Sequence, residues 1–239
     1  MESIVEKLKF QRRYPRHLNP LLFAQGDHLY LDIRDKINEI VRAFLEYLQV
    51  DIRVLDVRIV GSNASYNYHK ESDLDIHIVT NLSEISDPAT IARLYFDAAK
   101  KNFKDAYDIT IKGIDVELYI EDINASAVSN GIYSVTHDTW IKTPTPIEDP
   151  SDEVIKLAEK YEEYILNMLD KATTVEEIQE VQDQIYLIRK DALSAEGEVS
   201  AGNLMFKSLR NKGILDSIKD ILHKGISQEL SLESIRNRD

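Results

Sequence analysis

Cysteine is absent from the 239 residues, which removes disulfide frameworks and thiolate zinc sites from consideration. No apolar run approaches the length of a bilayer span. The opening MESIVEKLKFQRRYPR carries acids near residue 1 with no apolar stretch behind them, unlike a secretory leader. A cytoplasmic protein is the expectation. The phosphate-loop pattern GxxxxGK[ST] and the dinucleotide fingerprint are both missing. Positive charge is scarce too. Twenty-nine Lys and Arg stand against 42 Asp and Glu, a formal net charge of −13. That balance argues against a protein that coats long DNA or RNA, since such binding depends on neutralising phosphates. A single nucleotide, or an RNA end in a local basic pocket, stays open.

Apolar residues make up 43% of the chain, enough for one large core or two modest ones. Strong punctuation occurs once, in TPTPIEDPSDE at 143–153, which holds three of the six prolines. The expected domains are therefore 1–148 and 149–239. Before the break, Ile33, Ile37, Ile40, Val41 and Phe44 form one stripe of a helix over 32–49. VLDVRIV at 54–60, LDIHIV at 74–79 and IDVELYI at 114–120 read as strands, with a helix at 88–102. DITIKG pairs with IDVELYI by turning at Lys112-Gly113, and the stretch around Tyr133 and Trp140 stacks an aromatic on a nucleobase, packs between sheet and bundle, or returns as a last strand. Beyond the break, helices are expected at 151–171, 174–194, 198–211 and 213–225, with Thr174 and Glu177 as a capping box and a frayed tail beyond about 230. The fold class is α+β: a mixed β-sheet flanked by helices, followed by a C-terminal helical bundle.

Chemistry concentrates in GSNASYNYHKESDLDIHIV, residues 61–79. Alternation along a strand sends Asp73, Asp75 and His77 to one side and Leu74, Ile76 and Ile78 to the core. The plainer alternative has Asp73 ending a loop and Asp75 on an exposed edge. Two acids on one face of an apolar strand repel each other, and a divalent cation cancels that cost. Asp115 and Glu117 form a second such pair. If the strands are neighbours, Asp73, Asp75 and Glu117 surround two Mg²⁺ ions, for which hard oxygen ligands are suited, with Mn²⁺ as a substitute. Asp115 competes for the third position. The Gly61-Ser62 turn, with Ser62 beginning a helix, offers backbone N–H groups and a hydroxyl to a triphosphate.

These residues, Gly61-Ser62, Ser72-Asp73-Leu74-Asp75-Ile76 and Val116-Glu117-Leu118, resemble the polymerase-beta-like nucleotidyltransferase superfamily. The resemblance covers residues 50–121 well. It implies an enzyme that moves a nucleoside monophosphate from an NTP, ATP among them, to an acceptor hydroxyl and releases pyrophosphate. Asp73 and Asp75 would bind both metals and Glu117 the catalytic one. The acceptor is an RNA 3′ end, a small molecule or a protein. Lys70 is available as a nucleotide contact, and Lys207 and Arg210, three apart on one helical face, either meet phosphates or belong to a solvated helix surface. His77 touches a phosphate, steadies a carboxylate, or is structural. The alternative is a catalytically inactive nucleotide-binding or protein-interaction module on the same fold. The basic stretch at 12–20 is either an arm over the nucleotide or an ordered lead-in.

Overall fold

The computed structural model describes residues 13–24, 27–86, 88–125 and 129–231. Arg12 of the basic stretch and the tail beyond 231 lie outside the described residues. The chain divides into two compact units, one spanning Tyr14–Ile147 and the other containing the helices that follow Glu148.

In the first unit a helix, α1 (Leu31–Leu48), precedes four strands of the sheet and a second helix: β1 (Asp56–Val60), β2 (Leu74–Thr80), the helix α2 (Ala89–Ala106), β3 (Thr110–Ile111) and β4 (Ile114–Asp122). Two short strands, β5 (Ile132–Ser134) and β6 (Thr139–Lys142), complete it. The six strands lie in the order β3-β4-β2-β1-β5-β6. Only β2 and β4 run parallel, and parallel neighbours need a crossover, which α2 supplies. Their register places Leu74 opposite Val116 and Asp75 opposite Glu117. The remaining pairs are antiparallel.

Local chemistry explains each element. The α1 stripe is buried through Ile33, Ile37, Ile40, Val41, Phe44 and Leu48, and Gln49 stops the helix in the left-handed region. In β2, Leu74, Ile76 and Ile78 are fully buried while Asp75 and His77 on the other face are half-buried. The α2 face of Ala92, Phe96, Ala99 and Phe103 covers the same core. The β3–β4 hairpin turns on Lys112 and Gly113, both at positive φ, as a two-residue hairpin requires. The 131–144 stretch does return to the sheet, as β5 and β6. Its aromatics pack within this unit: Tyr133 and Trp140 surround Phe23, and the Trp140 ring stacks on it at 5.3 Å. The lead-in is ordered where described, with Tyr14, Leu18, Leu22 and Phe23 buried.

The second unit is helical. It contains α3 (Asp152–Lys171), α4 (Val175–Glu196), α5 (Ala201–Asn211) and α6 (Ile214–Leu230). Thr174 and Glu177 form the expected capping box. Ile165, Val181, Ile185, Met205, Leu209 and Ile218 are among the residues of its core. Buried Glu162 accepts from Ser208 Oγ at 3.0 Å and is paired with Lys212. No helix among the described residues is long and apolar enough to cross a membrane.

Candidate active site

The polar face of the sheet is built around β2 and β4. Asp75 and His77 project from β2, and Glu117, Tyr119 and Glu121 from β4, because residues two apart share a strand face. In-register pairing sets Asp75 beside Glu117 and His77 beside Tyr119. Burial, reinforced by the charges of Glu117 and Asp73, pushes the Asp75 carboxyl up to about 6 from its ordinary 3.8. His77 and Lys100 pull in the opposite direction but do not prevail.

Glu117 behaves differently. Burial raises its proton affinity, yet hydrogen bonds from Lys104 and Tyr119 and the charges of Lys104 and Lys100 hold it below the usual range. The Tyr119 hydroxyl donates to it at 2.6 Å, Lys104 pairs with its other oxygen, and Lys100 Nζ lies 3.7 Å away. The Lys100 ammonium also sits 3.1 Å from the centre of the Tyr119 ring, a cation–π contact. Desolvation lowers the Lys100 pKa despite these anions. Both lysines come from α2, which reaches this strand at a cleft lined by Phe103, Tyr107, Val116 and Leu118. Asp115, next to the hairpin turn, is exposed.

The Gly-Ser turn departs from expectation in form. Ser62 does not begin a long helix: residues Ser62–Ala64 make one 3₁₀ turn, closed by Ser65 N–H donating to Ser62 C=O at 3.1 Å. Ser65 is already extended, at φ −151° and ψ −171°, so the turn ends there and the chain runs on toward β2. Gly61 adopts φ 71°, ψ −152°, a conformation essentially restricted to glycine. Its bare α-carbon faces the Asp75 carboxylate, and a Cβ there would collide with Asp75 Oδ2. Gly61 N–H donates to Ser129 Oγ at 3.2 Å.

The remaining sequence candidates fall in several places. Lys70 is exposed in the turn from His69 to Ser72. His77 Nδ1 shares a 2.6 Å hydrogen bond with Glu121 Oε2, and its ring lies 4.8 Å from that of Tyr119. A polar row continues across the sheet: Arg58 lies 3.9 Å from Glu121 and 2.9 Å from Asp56, which accepts from Ser134 Oγ at 2.7 Å. Lys207 and Arg210 belong to α5 of the helical unit, where Lys207 pairs with Glu198 at 3.0 Å. Among the described residues, no group of three or more His, Asp or Glu side chains is arranged to hold a metal ion.

Sequence reading missed Lys100, Lys104, Tyr119 and Asn63. The two lysines sit four apart, hence on one helical face, beside the buried Phe96–Phe103 stripe. That spacing was visible, but only the parallel β2–β4 crossover reveals which strand they meet.

No protein-family model matches the chain, and no curated protein matches it. Among solved structures, one similarity is to a STING-associated CdnE c-di-GMP synthase from Capnocytophaga granulosa. It is 15% identical, covers 84% of this chain and 84% of that one, and has a TM-score of 0.23. The similarity is weak and distant.

Proposed function

We propose that the chain is a nucleotidyltransferase that moves a nucleoside monophosphate from an NTP to an acceptor hydroxyl and releases pyrophosphate. One observation carries the reading. Asp75 stands in register with Glu117 on adjacent parallel strands, with the Gly61-Ser62 turn packed directly on the Asp75 carboxylate. This is the spatial form of the Gly-Ser, Asp-x-Asp and Glu pattern that resembles the polymerase-beta-like superfamily. On this reading residues 1–148 are the catalytic domain and 149–239 the helical one. Nucleotide contacts by Ser62, Lys70, Lys207 and Arg210 are proposals from the sequence.

The donor chemistry at Asp73 and Asp75 fits Mg²⁺, a hard cation that takes oxygen ligands. Asp75 holds its proton too tightly because of burial and neighbouring negative charge, and a cation relieves that condition. Glu117 fits less directly, since Lys104 and Lys100 already neutralise it. When bound, magnesium supplies Lewis-acid stabilisation of the charge on the departing pyrophosphate. The chain's own residues orient the reactants. Asp73 and Asp75 place negative charge on one face, and the glycine lets the Asp75 carboxylate lie against the turn. Tyr119 and the two lysines hold Glu117 in a single orientation.

The Lys104–Glu117 pair specifically favours a second reading, an inactive nucleotide-binding or protein-interaction module, because it occupies the carboxylate that the chemistry needs. Pyrophosphate release, measured with Mg²⁺ across the four NTPs and a panel of RNA, cationic small-molecule and protein acceptors, separates the two. Transfer that vanishes in Asp73→Asn supports the enzyme. NTP binding without release in the wild type supports the module.

A further inference from the structure

Asn63 is completely buried one residue after the Gly-Ser pair. Its side-chain amide donates to the Asp73 carbonyl at 2.7 Å and approaches the Ser72 carbonyl at 3.4 Å. Its own oxygen accepts from Asn19 Nδ2 at 2.8 Å, and Asn19 Oδ1 accepts from the Leu21 N–H at 3.0 Å. Asn19 is 5% exposed. A backbone carbonyl only accepts and a backbone N–H only donates. Both ends of this chain are backbone groups, so the orientation of each amide is determined. Ser72, at the same corner, takes the His69 N–H on its hydroxyl at 3.0 Å.

We infer that Asn63, locked by Asn19, is a positioning residue that ties the Asp73–Asp75 segment to the Gly61–Ser62 turn and so sets the direction of both carboxylates. The inference rests on the proposed transferase reading. The turn then acts on each acid separately: Gly61 accommodates the Asp75 side chain, and Asn63 holds the Asp73 main chain. Groups that orient metal-binding carboxylates govern affinity nearly as strongly as the ligands do. An asparagine that merely satisfied buried backbone would affect stability without affecting what the carboxylates bind.

Mn²⁺ alone, titrated into the full chain and followed by the electron paramagnetic resonance of the free ion, provides a readout independent of turnover. Thermal unfolding is recorded beside it. Asn63→Ala is expected to weaken Mn²⁺ binding about 10- to 100-fold while the folded far-ultraviolet circular dichroism spectrum persists. Asn19→Ala, which leaves Asn63 in place but free to turn, should weaken it in the same direction by less. If Asn63→Ala does not fold, Asn19→Ala carries the test. Wild-type Mn²⁺ affinity in the folded variants, with only the melting temperature lowered, overturns the inference and leaves the transferase reading standing. If the wild type binds Mn²⁺ no better than Asp73→Asn combined with Asp75→Asn, the transferase reading fails and the inference falls with it.

Discussion

Replacing Asp75 by asparagine should stabilise the protein while destroying its proposed activity. The carboxyl is held at about 6 where 3.8 is ordinary, and each tenfold change in proton affinity corresponds to about 1.4 kcal/mol. The folded state therefore binds a proton more tightly than the unfolded chain between these two values. Stability from this group is unimpaired below pH 3.8, falls as pH rises through the interval, and is lower by about 3 kcal/mol above pH 6. Asparagine keeps the shape and cannot ionise. Urea unfolding of wild type and Asp75→Asn at pH 4 and pH 8 measures the difference, because titrations elsewhere cancel to first order. The variant should exceed the wild type by up to about 3 kcal/mol at pH 8 and by little at pH 4. A variant no more stable at pH 8, or a gain equal at both pH values, would refute the argument that buried like charge raises this carboxyl.

Three further outcomes follow from the same face of the sheet. Gly61→Ala forces a side chain into a glycine-only conformation and onto Asp75, so it should cost about 1–3 kcal/mol from the backbone alone. Much of any additional loss should disappear in an Asp75→Ala background, and an unchanged urea midpoint in the single variant would contradict the geometry. Glu117→Gln should abolish pyrophosphate release and Asp115→Asn should cost much less, since Asp115 is exposed beside the hairpin turn; turnover assays giving the opposite ranking would move the third carboxylate to Asp115. Lys104→Met removes a hydrogen bond and a charge that hold Glu117 low, so carbonyl-carbon nuclear magnetic resonance should find Glu117 titrating at higher pH, and no upward movement would show the ion pair to be incidental.

The sheet was legible because its signals are local. Apolar alternation marks β2 and β4, and a Lys-Gly pair at positive φ marks their hairpin neighbour. Helical stripes and the Thr174 capping box are equally local. The adjacency of Asp75 and Glu117 stayed conditional on the two acid-bearing strands being neighbours, and it is the in-register β2–β4 pairing that makes them so. What escaped depends on contacts between distant residues. Nothing near Lys104 announces that it meets Glu117, and nothing near Asn63 announces the partnership with Asn19, 44 residues away. Trp140 reads from sequence as a wedge between sheet and bundle, but its stacking partner is Phe23. Ser62 was expected to begin a helix. What forms is a single 3₁₀ turn, ended by Ser65 in an extended conformation.

On one small surface, Gly61 occupies a backbone region closed to other residues, Asp75 is pushed toward neutrality, and Asp75 and Glu117 face each other in register. Each feature is unfavourable by itself. The neighbouring residues do not remove the conflict evenly. Lys104, Lys100 and Tyr119 relieve Glu117, while Asp75 retains its excess proton affinity. Local rules broken together, at one place, are the pattern expected of a working site. The uneven relief also assigns the parts. Asp75 has the most to gain from a cation, so ligand-dependent stabilisation should centre on it. On the transferase reading Glu117 joins a cation at Asp75 only as its lysines withdraw, which makes the α2 lysines the point at which the active and inactive readings diverge.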